Sequence, residues 1–94
     1  REGRQMELSI SIQIWKKDKW YIAKCPELDF VSQGMDRDEA RRNLLEAVHI
    51  QLEEMAELGT LDDYLSECGY VHENDVITPH IEMVVFEKQS IQVA

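Results

Sequence analysis

The residue types that bind zinc or start acid–base chemistry gather in the second half of the chain, at His49, Cys68, His72, Glu73, Asp75 and His80. A structural zinc site takes four such ligands, usually as two closely spaced pairs. Cys68 and His72 have one suitable spacing, but no second pair matches it, so these histidines are expected at the surface or in packing roles. A nucleophilic cysteine or serine needs a base and an orienting group within reach, and no local pattern of that kind appears. The chain also has no glycine-rich phosphate loop. The expectation is no catalytic residue, no metal ligand and no cofactor. Cys25 and Cys68 are too few for a disulfide framework and read as reduced, partly buried thiols of a cytoplasmic protein.

What remains chemically is charge. The net charge of the 94 residues is −9, and the charge is unevenly spread. Nine of the ten Lys and Arg lie at or before Arg42, whereas Asn43 to Glu87 holds eleven Asp and Glu and no Lys or Arg. An acidic surface of this kind repels nucleic-acid backbones and attracts basic partners, although acidity also serves solubility alone. No run of about eighteen apolar residues is present to span a membrane, and no secretion signal is visible. Residues 1–5 read as a tail ahead of a single domain, 6–94, which is the size at which one core forms.

Met6 to Trp15 (MELSISIQIW) alternates almost strictly, with Met6, Leu8, Ile10, Ile12 and Ile14 on one face. This is the period of a half-buried strand. Lys16 to Lys19 reverses the chain, Trp20 to Cys25 forms a second strand ended by Pro26, and Phe30 to Gln33 forms a third, followed by a turn at Gly34. Asp36 with Glu39 has the spacing of a capping box. Ala40, Leu44, Ala47, Val48, Leu52 and Met55 then recur at helical intervals up to Gly59. Thr60 and Asp63 start a short second helix, LDDYLSEC, which stops at Gly69. Tyr70 to Pro79 reads as irregular and Ile81 to Phe86 (IEMVVF) as a final strand, with Ser90 to Val93 extending it or trailing off. The expected fold is therefore α+β, a two-layer β-β-β-α-(short α)-β unit with one main helix covering the sheet.

The stretch from Trp20 to Val48 resembles the HicB family. The matching residues are Trp20 to Leu28 (WYIAKCPEL), then Ser32-Gln33-Gly34, Glu39-Ala40, Asn43-Leu44 and Glu46-Ala47-Val48. The resemblance covers about a third of the chain closely and implies a partial RNase H-like fold. It also implies a non-enzymatic antitoxin that binds and neutralises a small basic ribonuclease toxin, HicA. Many members add a C-terminal operator-binding module. The acidic sequence after Gly59 departs from that pattern, because phosphate binding needs Lys and Arg, so the standalone form fits and DNA binding by this chain alone is not expected.

An RNase H-like fold raises the question of metal-binding carboxylates. The strands offer only Glu7, Glu82 and Glu87, none at a central position, which leaves a metal-dependent nuclease as the weakest reading. Opposite the apolar stripe of the main helix, Glu46, Glu53 and Glu57 share a solvent face with Ile50, continued by Asp62 and Asp63. This is the expected partner-binding surface. Trp15, on the polar side of its strand, is an additional candidate anchor. Arg37, Arg41 and Arg42 near the start of the helix and Glu53, Glu54 and Glu57 near its end oppose the helix dipole, at about 0.3–1 kcal/mol each. Pairs such as Asp38 with Arg42 return about 0.2–0.5 kcal/mol. Apolar residues in the last strand and beyond it suggest a homodimer through the C-terminal strand. A nucleic-acid-binding regulator using the basic hairpin of residues 16–24 is the alternative.

Overall fold

The computed structural model of the chain describes residues 7–73 and 76–94. Residues 1–5, Met6 and Asp75, which entered the sequence reading, lie outside the described residues. The structure is α+β, with strands β1 (Glu7–Leu8), β2 (Gln13–Lys17), β3 (Trp20–Cys25) and β4 (Phe30–Gly34), helices α1 (Arg37–Leu58) and α2 (Leu61–Glu67), and strands β5 (Tyr70–Glu73) and β6 (Val76–Pro79). They form two three-stranded sheets, ordered β2-β3-β4 and β1-β6-β5.

The first sheet is an antiparallel meander, with Ile14 opposite Ala23 and Ala23 opposite Ser32. Its first turn is tighter than the expected four residues. β2 runs on to Lys17, which pairs with Trp20, and Asp18 and Lys19 alone reverse the chain. Asp18 takes a left-handed φ of 57°, a conformation short polar side chains tolerate. The expected single strand from Met6 to Trp15 is broken in the structure, because the segment changes partner. Glu7 and Leu8 pair in parallel with Val76 and Ile77 of β6. The amide of Ser11 is taken by the Glu27 carboxylate at 2.9 Å instead of by a strand.

α1 begins as its sequence suggests. The Asp36 carboxylate accepts from the Glu39 amide at 2.8 Å, and Glu39 reaches back to the amide of Met35, one residue earlier than in the usual box. Gly59 ends the helix at φ 79°, the left-handed position a glycine fills without strain. The helix lies mainly on β4 and β3. A Cβ placed on Gly34 would stand 2.6 Å from the Ala40 amide nitrogen, so glycine is what lets strand and helix approach so closely. Ala40, Leu44 and Val48 are buried over Ala23 and Cys25, and Asn43 donates to the Gln33 carbonyl at 2.9 Å. The helical stripe is narrower than expected, since Ala47 is exposed and Leu52 and Met55 are half-buried.

Two further expectations are corrected. Tyr70 to Pro79 is not irregular but the β5–β6 hairpin, with Tyr70 paired to Pro79 and buried together with Ile77. Polar and charged neighbours (His72, Glu73, Thr78) conceal the alternation in so short a span. Conversely, Ile81 to Phe86 forms no strand, and it is β6, not this segment, that pairs with β1. Ile81 and Val84 stand 83% and 85% exposed, and 90–93 is also without regular structure. No helix among the described residues is long and apolar enough to cross a membrane.

Candidate interaction surfaces

The register of the meander decides which side chains face α1 and which face away. Ala23 and Cys25 point to the helix, so Trp15, Ile22, Lys24 and Val31, one position out of phase, share the opposite face. Trp15 and Trp20 are 44% and 40% exposed there. The Lys24 ammonium sits 5.6 Å from the Trp15 ring centre, and the Phe86 ring meets Trp15 edge-on at 5.2 Å. Trp15 thus belongs to an aromatic and basic sheet face on the far side of the molecule from the acidic helix face. The structure does not bring these two parts of the expected site together.

On the helix side, α1 covers one sheet and leaves the other partly bare. The result is an open trough of about 1850 Å³. Leu8, Ile10 and Ile77 form its floor, Leu45, Val48 and Leu52 of α1 its wall, and Leu61 and Leu65 of α2 close one end. Asp38, Arg41 and Arg42 stand along it near the start of α1, and Glu46, His49, Glu53 and Asp62 along its other part. Of the expected partner-binding residues, Glu46, Glu53 and Asp62 line the trough. Ile50, Glu57 and Asp63 are exposed beside it on the outer surface of the two helices. At 100° per residue Ile50 and Glu57 lie within 20° of each other, while Leu45 is turned 100° from the buried Leu44.

Leu45, Arg41 and Arg42 were missed as site residues. Their signal was the Leu44-Leu45 pair, since two adjacent helical leucines cannot both face one sheet and the second must serve another surface. The expected Asp38–Arg42 pair does not form. Among the described residues the ion pair within reach on α1 is His49 with Glu53, at 3.1 Å and largely exposed. Neither helix has a basic residue in its last turn.

Between the two sheets lies a small polar junction. Glu27 holds the Ser11 amide and lies 3.7 Å from the Cys25 thiol. Partial burial pushes the Glu27 carboxyl upward, but the hydroxyl and amide of Ser11 outweigh it and leave the group below its ordinary range. Burial, with a smaller push from the Glu27 charge, raises the Cys25 thiol. Cys25 and Cys68 are both free. Tyr64 donates to the Leu28 carbonyl and Tyr70 to the Ser9 carbonyl, each at 3.0 Å. Burial, then the adjoining Cys68, pushes the Tyr64 hydroxyl up to about 12. These groups are held as hydrogen-bond donors, not as proton carriers near neutral pH. Among the described residues no three His, Cys, Asp or Glu side chains converge as a metal site.

No family model, no curated protein and no solved structure matches this chain. The functional reading therefore rests on the sequence resemblance and on the surfaces just described.

Proposed function

We propose that this chain is a HicB-like antitoxin of the standalone kind, or a regulator derived from one, acting in the cytoplasm without enzymatic activity. It binds a small basic ribonuclease toxin of the HicA type. The observation that carries the reading is the exposed acidic surface shared by the two helices, where Glu46, Glu53, Glu57, Asp62 and Asp63 stand with no basic residue in the last turn of either helix. Such a surface draws a basic partner by long-range attraction and affects the association rate most. Ile50, 56% exposed among these acids, supplies an apolar contact. The test is the triple variant Glu46→Lys, Glu53→Lys, Glu57→Lys, measured against a basic HicA-type toxin. Association should slow about ten-fold or more at low salt, with the difference shrinking as salt rises. Unchanged association rejects this surface.

A second reading is favoured by the opposite sheet face. Two half-exposed tryptophans with Lys17 and Lys24 on one strand surface have the make-up of a stacking platform for single-stranded nucleic acid. It predicts retention of single-stranded RNA or DNA that weakens steeply with salt and is lost in Trp15→Ala. Failure to bind either at low salt eliminates it.

A further inference from the structure

The trough is open and partly apolar, and the charges of α1 divide along it, with Asp38, Arg41 and Arg42 at one part and Glu46, His49 and Glu53 at the other. Arg41 and Arg42 lie toward the start of α1 and Glu53 toward its end, which is the reverse of what the helix's own dipole favours. Neither arginine has a carboxylate within ion-pair distance among the described residues. A neighbouring helix running in the opposite direction would resolve both facts, because it sets each basic half against an acidic half.

We propose that the trough is filled by α1 of a second copy of this chain, packed antiparallel about a two-fold axis, with Arg41 and Arg42 of each copy opposite Glu53 of the other. The register that sets Arg42 against Glu53 also sets His49 beside Glu46, and it places Leu45 and Leu52 on either side of the axis. Both copies then contribute the same patch, as a closed two-fold contact requires. The pairing needs no other protein; it takes Glu46 and Glu53 out of the acidic face and leaves Ile50, Glu57 and Asp63 outward for a further partner, so Glu57→Lys with Asp63→Lys separates toxin binding from pairing.

The test is the oligomeric state of the purified chain, by sedimentation or light scattering at about 0.1 mM, where even a micromolar dimer is nearly fully formed. The wild type should have twice the chain mass. The variants Arg41→Glu with Arg42→Glu, and Glu46→Arg with Glu53→Arg, should each dimerise at least about ten-fold more weakly. Mixing the two variants should restore the dimer, because every reversed charge then meets its complement. Val84→Asp with Ile91→Asp, which alters the exposed C-terminal segment, should leave the dimer intact. A monomeric wild type overturns the proposal. So does a dimer whose dissociation constant, read from a dilution series, is unmoved by both charge reversals, a mixture that fails to regain the wild-type constant, or loss of the dimer only in the C-terminal variant, which would assign the contact to residues 81–93.

Discussion

The two sheets share the first segment of the chain, yet only one of them is finished. Around β2-β3-β4 the interior is closed, with Ala23, Cys25, Ala40 and Leu44 wholly out of solvent. Around β1-β6-β5 the interior residues Tyr70, Ile77 and Leu65 are buried, but the space beside them is the open trough. The difference is one of widths. A helix is about 10 Å across and strands are about 4.8 Å apart, so a single long helix covers about two strands. α1 spends its width on β3 and β4, and α2, at seven residues, is too short to cover the other sheet. A small domain with one long helix and a wide sheet surface therefore leaves apolar ground to be covered by something else.

Substitutions in the two halves should separate accordingly. Leu44→Ala, at the centre of the closed half, should cost about 2–5 kcal/mol in urea unfolding, near the upper part of that range because the surroundings cannot collapse. The same change at Leu52, which lines the trough, should cost much less when the chain is dilute. Its cost should grow with protein concentration if the trough is occupied by a second copy. Equal penalties at the two sites, independent of concentration, would remove the distinction between the halves. Gly34→Ala should cost about 1–3 kcal/mol through the collision with the Ala40 backbone, measurable as a lower midpoint at unchanged slope.

Smaller effects probe the junction between the halves. Tyr70→Phe removes the hydroxyl that ties the second sheet to Ser9 and should cost about 1 kcal/mol. Hydrogen exchange in that variant should rise in β5 and β6 while β3 and α1 keep their protection. The smallest effect is a pH dependence at Glu27. Its carboxyl in the folded chain lies below the ordinary glutamate value, so it stabilises fully above that value. The contribution fades as pH falls through the lowered folded value. Glu27→Gln should lower stability at neutral and alkaline pH, where the contribution is full, and flatten its fall over the acid range relative to the wild type.

The closed half was largely legible in the sequence, because each of its elements carries a local signal that agrees with its packing. Asp36 and Glu39 start the helix, Gly59 stops it, and Gly34 marks the approach of helix to strand. The open half was not. β5 and β6 are four residues each and are mixed with His, Glu and Thr, so only Tyr70 and Ile77 are buried in a span too short to establish a period. IEMVVF, by contrast, has strong strand character and forms none, since strand propensity names no partner and β1 pairs with β6 instead. The acidic helix face was visible as spacing, and Glu46, Glu53 and Asp62 do line one surface. Trp15 was not visible as belonging to the far side, because that depends on the register of β2 against β3.

The parallel pairing of Leu8 with Ile77 joins residues separated by most of the chain. Everything in the meander and α1 lies between them and is built from near neighbours, the kind of contact that forms early. During synthesis, β2, β3, β4 and α1 can assemble once Leu58 has left the ribosome, whereas β1 waits with an unpaired edge until Pro79 emerges. The last contact to become available is then that of the last hairpin with the first strand, and a nascent chain halted before Val76 leaves β1 without its partner.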